Sequence, residues 1–120
     1  MTRNTIEAED QVSRLFGALA DPTRRAILHR LTSGEATIRA LADPFDMSQQ
    51  AVSLHVKVLE DAGLVSRGRI AQTRPCRLEP QQLQLAEDWI AQQRHLWAAR
   101  HERLETHLAD LEHAKPRRGR

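Results

Sequence analysis

The chain has 120 residues, a formal net charge of +2 and a single cysteine, Cys76. This length is about that of one domain with one modest core, and a single cysteine excludes an intrachain disulfide framework. No apolar run approaches the ~18 residues that a membrane-spanning helix needs, so we expect no membrane association and a cytoplasmic protein.

The distribution of charge is compatible with binding to nucleic acid. The sequence pI is about 9.3, and basic residues concentrate after residue 113. Two Trp, two Phe and no Tyr are too few aromatic residues for a platform that stacks single-stranded bases, so duplex DNA is the better partner to expect. We expect one domain in residues 1–113, followed by a basic disordered tail in residues 114–120.

The first third of the chain predicts two helices. Apolar residues at helical spacing indicate a first helix over about residues 6–20. Asp21 then supplies a capping side chain, and Pro22 stands at the first helical position, where its missing amide costs nothing. The second helix therefore begins at Pro22, and Gly34 marks its end.

A helix-turn-helix is predicted next. A short third helix begins at Ala36 or Thr37 and ends at Asp43, because the residue before a proline avoids the helical region. Residues 44–47 form the turn, and another helix follows at once from Ser48. Two short helices joined by a tight turn are typical of this DNA-binding motif.

The helix after the turn has the features of a recognition helix. Ser48 is a good N-cap, and Gly63 can adopt the left-handed conformation that ends a helix. Its polar residues fall in one arc, while the remainder, Val58 among them, is apolar. The polar residues are Gln49, Gln50, Ser53, Lys57, Glu60 and Asp61. Such donors and acceptors suit base edges and phosphates, although an ordinary amphipathic helix with a solvated face has the same pattern.

Residues 64–70 and 74–79 predict a β-hairpin, with Pro75 restricted to an edge or irregular strand. Ile70 is one of its apolar anchors. The hairpin is rich in arginine, which is found at Arg67, Arg69, Arg74 and Arg77. A charged hairpin is usually solvated, but one that directly follows a recognition helix would lie along DNA phosphates.

A long last helix is predicted from about Pro80 to Glu112. An apolar residue recurs at every seventh position, namely Leu83, Ile90, Trp97, Leu104 and Leu111. Such a stripe suits contact with a second helix, so we expect a homodimer whose interface combines this stripe with Leu15 of the first helix. The alternative is packing on the first helix of the same chain, and we expect some of both.

These elements predict a mainly α fold with a small β-hairpin, a dimeric winged helix-turn-helix. The blocks LFGALADPTRRAILHRL, over residues 15–31, and MSQQAVSLHVKVLEDAGLVSR, over residues 47–67, carry a resemblance to a known family. The chain resembles the ArsR family of winged-helix bacterial transcription repressors. It is similar to the branch that lacks the metal-binding cysteine box and has a long C-terminal helix with two tryptophans.

The resemblance implies a repressor that binds an inverted-repeat operator as a homodimer, and it names no effector. The residues that it implies to contact DNA are Ser48, Gln49, Gln50, Ser53 and Lys57 of the recognition helix and Arg67, Arg69 and Arg74 of the wing. One departure is Leu54, at the edge of the apolar arc, where relatives commonly carry a polar or basic residue. We expect Leu54 either to contact a thymine methyl group or to pack. A second departure is the wing tip at residues 71–73, which is less basic than usual.

Metal sensing is not expected. The third helix has no cysteine to supply soft thiolate ligands. The histidines of the last helix recur every six residues, which distributes them over three faces, and His101 with Glu105 is more simply a surface pair. We therefore expect no metal and no cofactor. A repressor that responds to metal through these histidines is the alternative.

The sequence gives little support to the remaining classes of function. No glycine-rich phosphate loop, GxSxG or HExxH motif is present, so we expect no enzyme. We interpret His55 as a core histidine bonded to backbone and Cys76 as a small packed residue. A winged-helix module that binds protein instead of DNA is the other alternative, because a fold does not fix a function.

Overall fold

The computed structural model describes the backbone of residues 3–69 and 73–114 and the side chains of residues 7, 9–69 and 73–113. Five helices and two strands follow in order: α1 (Arg3–Leu19), α2 (Pro22–Leu31), α3 (Ile38–Ala42), α4 (Gln49–Asp61), β1 (Val65–Arg67), β2 (Cys76–Leu78) and α5 (Leu83–Ala114). A single 3-10 turn, Pro80–Gln82, precedes α5. The chain divides into two compact units, residues 1–86 and residues 87–120.

Local capping chemistry sets where three of the helices begin. The side chains of Asp21, Thr37 and Ser48 each accept a hydrogen bond from the backbone amide three residues on, at 3.0, 3.1 and 3.1 Å. Each bond satisfies one of the amides that a helix start leaves without an intrahelical partner. The predicted starts of α2 and α4 are confirmed, whereas α3 begins at Ile38, with Thr37 as its cap.

The core of the first unit lies between α1, α2, α3, α4 and the hairpin. Its largest fully buried side chains are Leu15, Ile27, Leu41, Val52, Val56, Leu59, Leu64 and Cys76. Three of them come from one side of α4, so this helix is held by its apolar stripe. No buried charged or polar residue is found among the described side chains of the core.

Leu15 of the predicted dimer interface belongs to this core, and Leu83 packs against it. The side chain of Leu15 is 0 % exposed within the single chain, so no surface of it remains for a second subunit, and its assignment to the interface is wrong. Leu83 is half-buried and packs against the same cluster. Part of the Leu83 side chain therefore remains available to the predicted apolar stripe, and the later residues of the stripe, from Ile90 onward, are exposed.

The hairpin is shorter than predicted. Strands β1 and β2 pair antiparallel, with Val65 opposite Leu78 and Arg67 opposite Cys76. Beyond the tip end of this ladder, the Gly68 amide donates to the Pro75 carbonyl at 2.8 Å. Pro75 has no amide to return, so regular pairing ends there. The predicted anchor Ile70 and the tip residues 71 and 72 lie outside the described residues.

A short backbone bridge attaches the hairpin to the helix-turn-helix. The Cys76 amide donates to the Ala36 carbonyl at 2.7 Å, and the Ala36 amide donates to the Cys76 carbonyl at 3.1 Å. Cys76 is fully buried, and burial raises the pKa of its thiol because desolvation disfavours the thiolate. The expected packing of Cys76 is confirmed, and the thiol is neutral at ordinary pH.

The described part of the second unit is a single stretch of α5. From residue 87 to residue 113 every side chain except Ala99 is exposed. Its large exposed apolar residues are Trp89, Ile90, Leu96, Trp97, Leu104, Leu108 and Leu111. None of the described helices is long and apolar enough to cross a membrane. Residues 115–120 of the predicted tail lie outside the described residues.

The end of α4 provides a test of the fold through two glycines. Gly63 has φ +79°, and a Cβ there would lie 2.9 Å from the Gln82 side chain, whereas Gly17 lies within α1 with open space around it. We expect Gly63→Ala to lower the free energy of unfolding by about 1–2 kcal/mol, because a left-handed conformation strains an L residue. The control Gly17→Ala should raise it by up to about 1 kcal/mol.

Guanidinium unfolding monitored by circular dichroism measures both glycine variants. The two midpoints should move in opposite directions from that of the wild type. Midpoints that move the same way would contradict the described end of α4.

Candidate nucleic-acid interface

The exposed side of α4 is the candidate surface for nucleic acid. Val52, Val56 and Leu59 are fully buried on its other side, so the orientation of the helix about its own axis is fixed. The residues that we expect to contact DNA here are Ser48, Gln49, Gln50, Ser53 and Lys57. All of these are exposed except Ser53, which is half-buried. The face therefore presents hydroxyl, amide and ammonium groups to solvent.

Leu54 lies in the middle of this exposed face, and not at the edge of the buried one. Its side chain is 67 % exposed, and that of Val58, one turn later, is 39 % exposed. At about 100° per residue, Leu54 points within about 15° of directly away from the buried set, whereas Ser53 points about 90° from that direction. The expectation that Val58 belongs wholly to the apolar face is wrong. Of the two alternatives for Leu54, packing within the chain is excluded.

Lys57 shares this face with a carboxylate. Its ammonium group lies 3.0 Å from the Asp61 carboxylate, one helical turn later. The hydrogen bond to Asp61 raises the pKa of Lys57, because it favours the charged form. Both side chains are exposed, and exposed ion pairs of this kind are weak. A phosphate group can therefore compete with Asp61 for the lysine.

Arg24 of α2 joins three elements behind the exposed face. Its Nε donates to the Ala18 carbonyl at 2.8 Å and its Nη2 to the Gly17 carbonyl at 3.0 Å, at the end of α1. Its Nη1 lies 3.3 Å from Nδ1 of His55 in α4. A guanidinium has no acceptor, so Nδ1 is the acceptor wherever this contact is a hydrogen bond. The expected backbone partner of His55 is corrected to a side chain.

Asp21 completes this cluster. Its Oδ2 accepts from the Arg24 amide at 3.0 Å and lies 4.0 Å from Nδ1 of His55. The hydrogen bond from the Arg24 backbone amide lowers the pKa of Asp21, so the carboxylate is charged at neutral pH. The start of α2, the end of α1 and the middle of α4 are thus connected through one capping residue and one arginine.

The hairpin places arginines next in the chain after α4. The Arg67 side chain donates through Nε to the Arg74 carbonyl at 3.0 Å and so joins the two strands near the tip. Arg69 and Arg74 are exposed. Arg74 has φ +31°, a conformation that is uncommon for a residue other than glycine. All three predicted wing residues therefore lie on the hairpin, with Arg67 in a bridging position.

Arg77 differs from these three arginines. Its guanidinium lies 3.7 Å from the Glu35 carboxylate and 3.8 Å from the Glu79 carboxylate. A hydrogen bond from Gln81, and to a lesser extent one from Ser66, lowers the pKa of Glu79, so this carboxylate is charged at neutral pH. Arg77 accordingly forms exposed ion pairs that link β2 to Glu35 and Glu79 within the first unit.

Comparison with known proteins agrees with this geometry. Residues 19–67 match the family described as Helix-turn-helix domain. The transcriptional repressor SdpR of Bacillus subtilis is 33% identical over 79 residues, which are 66% of this chain and 88% of SdpR. The crystal structure of an ArsR family transcriptional regulator aligns with a TM-score of 0.70 and 41% identity, over 75% of this chain and 93% of that one.

The chain belongs to the ArsR family of winged helix-turn-helix transcriptional regulators. A further relative in this fold is the homodimeric winged helix-turn-helix DNA-binding domain Mb0332 of Mycobacterium bovis, solved by solution NMR. It is 28% identical with a TM-score of 0.63, over 80% of this chain and 91% of that one. The resemblance and the fold class that the sequence predicts are confirmed.

In this ArsR-family chain, His101 of α5 contacts two side chains of its own helix. His101 lies 3.2 Å from the Glu105 carboxylate through Nε2, and its ring stacks on that of Trp97 with centroids 5.8 Å apart. Among the described residues, no group of three or more His, Cys, Asp or Glu side chains could hold a metal ion. His101 thus has a structural partner on its own helix.

The sequence of this ArsR-family protein did not reveal two features of the candidate interface: the exposure of Leu54 and the partner of His55. The exposure of Leu54 was obscured because its neighbours in angle include apolar Val58, which widened the apparent apolar arc. The partner of His55 lies 31 residues away, beyond the range of helical periodicity. A polar ring inside an otherwise apolar arc was the available signal, because a buried nitrogen requires a partner.

The Arg24 cluster generates a test of how α4 is held. Arg24→Ala should lower the free energy of unfolding by about 1–3 kcal/mol, because two carbonyls of α1 and His55 lose a charged donor. The control Arg25→Ala removes a neighbouring arginine that donates to the Leu19 carbonyl at an exposed site, and it should cost about 0.5 kcal/mol or less.

Guanidinium unfolding gives the two free energies of unfolding, and hydrogen exchange of the α4 amides reports whether the helix opens more often in Arg24→Ala. Equal unfolding midpoints for the two arginine variants would contradict a special role of Arg24.

Proposed function

We propose that this protein is a sequence-specific repressor that binds an inverted-repeat operator in duplex DNA as a homodimer. The observation that carries the proposal is the exposed face of α4, which combines amide, hydroxyl and ammonium groups on a helix whose other side is fully buried. Family membership supports the DNA-binding role. Occupation of the operator would block access to the promoter.

The size and chemistry of α4 suit the major groove. A helix with its side chains is about 10–12 Å wide, and the major groove is about 12 Å wide. Gln50 lies in the first turn of α4, and its forked amide can accept from and donate to the same adenine edge. Ser48, Gln49 and Ser53 would bind phosphates or further base edges around it. Base reading is thus assigned to α4.

The hairpin arginines would supply affinity that does not depend on sequence. Arg69 and Arg74 are exposed near the hairpin tip, and Arg67 joins the strands below them. Cations along the phosphate backbone release condensed counterions, so binding should weaken steeply as salt rises. A net charge of only +2 means that this local concentration of charge matters more than the overall balance.

Dimerisation would use the exposed stripe of α5. Ile90, Trp97, Leu104 and Leu111 recur every seven residues, and the Trp97 side chain is 72 % exposed. An apolar stripe of this kind on a single helix is a typical contact for a second helix. A two-fold axis between two such helices would present two copies of α4 about 34–36 Å apart, one DNA turn.

The roles of α4 and the hairpin can be separated by two substitutions. Gln50→Ala should lose about 1–3 kcal/mol of discrimination at one base pair of each half-site and keep most nonspecific affinity. Arg69→Ala should weaken binding to every duplex alike and make the dependence on salt less steep.

Gel-shift titrations of selected and random duplexes over a range of salt concentrations measure the effects of both substitutions. The wild type serves as the reference at each salt concentration. If the wild type prefers no genomic or selected fragment over random duplex, the specific-repressor proposal fails.

The dimer proposal predicts a loss of DNA binding from a residue that need not contact DNA. Trp97→Glu should weaken dimerisation by about 2 kcal/mol or more, because it removes an aromatic anchor and places an unpaired charge in an apolar contact. The control Ala91→Glu puts the same charge about 120° around the helix, at an exposed position, and should leave dimerisation unchanged.

Analytical ultracentrifugation and operator gel shifts on the wild type and the two α5 variants decide this prediction. A wild type that is monomeric at micromolar concentration would contradict the dimer, as would a Trp97→Glu variant that still dimerises.

A further inference from the structure

We infer that Leu54 reads a thymine in each half-site, by apolar contact with the C5 methyl group in the major groove. This inference rests on the proposed function and deepens it, because it assigns one base of the operator to one side chain. It goes beyond the hydrogen-bonding residues of α4, since leucine has neither donor nor acceptor.

The first support for this inference is the position of Leu54 on α4. Its side chain is 67 % exposed and points almost directly away from the buried side of α4, so it would be the side chain nearest the floor of a groove that receives this helix. Gln50 lies one turn before it and Lys57 about one turn after it. Along the helix axis, Gln50 and Leu54 are about 6 Å apart, which is about two base steps at 3.4 Å each.

The chemistry of the major groove then restricts what Leu54 can contact. Thymine alone of the four bases carries a methyl group at its major-groove edge, where it lies beside the carbonyl; the other three present mainly hydrogen-bonding groups. Pressing a leucine against a donor or acceptor would desolvate that group without replacing its hydrogen bond, which is costly. Contact with the methyl group instead removes apolar surface from water. A leucine in the centre of the face therefore favours thymine.

Val58 extends the same contact. It is 39 % exposed and lies one turn after Leu54 on the adjacent side of the face. Two apolar side chains make a patch that is too small for a stable protein interface, and they are surrounded by the polar groups of Gln50, Lys57 and Asp61. This setting fits a base edge between phosphates better than a protein surface, and the extended apolar stripe of the molecule lies on α5 instead.

The experiment removes single methyl groups from DNA. A duplex selected with the wild-type protein is synthesised with each thymine replaced in turn by deoxyuridine, which keeps the pairing and all hydrogen-bonding edges and deletes only the methyl group. At one thymine of each half-site, wild-type affinity should fall about fourfold, the equivalent of about 0.8 kcal/mol for one buried carbon group. The same replacement should leave the affinity of Leu54→Ala unchanged.

Two further variants sharpen the comparison. Arg69→Ala should bind more weakly overall and keep the fourfold loss at the same thymine, because it leaves α4 intact. Leu54→Gln should shift the preferred base at that position away from thymine in a repeated selection, because an amide favours adenine. Because Leu54 is exposed, Leu54→Ala and Leu54→Gln should both leave the unfolding midpoint near that of the wild type.

The outcomes distinguish this inference from the proposed function. A specific wild-type complex in which deoxyuridine has no effect at any position, or in which Leu54→Ala keeps the wild-type pattern of losses, overturns the role of Leu54 and leaves the repressor intact. A wild type without preference for any duplex overturns the repressor and the thymine contact together. Loss of the methyl effect in Leu54→Ala alone supports the inference.

Discussion

The burial of one side of α4 is the constraint on which the candidate interface depends. Val52, Val56 and Leu59 are fully buried, and each would lose about 1.5–3 kcal/mol if it were exposed. Rotation of α4 about its axis is therefore strongly opposed. The residues on the opposite side, with Leu54 at their centre, are exposed as a direct consequence of this packing.

Polar contacts also hold α4 in place, in addition to its buried apolar side chains. Arg24 donates to two carbonyls at the end of α1 and contacts His55 of α4, while Asp21 caps α2 and lies beside the same imidazole. These bonds link the proposed recognition helix α4 to α1 and α2. The bridge between Ala36 and Cys76 attaches the hairpin to the same unit. The surfaces proposed to read bases and to bind phosphates are thus held by one core.

Local chemistry made much of this architecture predictable from the sequence. Asp21, Thr37 and Ser48 cap their helices through bonds that span only three residues, and Gly63 marks the end of α4 through its own conformation. What depends on distant neighbours was harder to predict. Leu15 could equally have been a core or an interface residue until its 0 % exposure was seen. Periodicity could not supply a partner for His55, because that partner lies on another helix. Leu54 could be placed in the centre of the exposed face only once the burial of Val52, Val56 and Leu59 was known.

We propose that α4 enters the major groove of an operator, with a second copy of α4 one DNA turn away. Photo-crosslinking of duplexes that carry 5-bromodeoxyuridine at each thymine in turn tests it directly, because bromine replaces the methyl group in that groove. We expect crosslinked peptides from α4, at two sites about 34–36 Å apart along the duplex. Efficient crosslinking to peptides of α1 or α5, with none to α4, would contradict it.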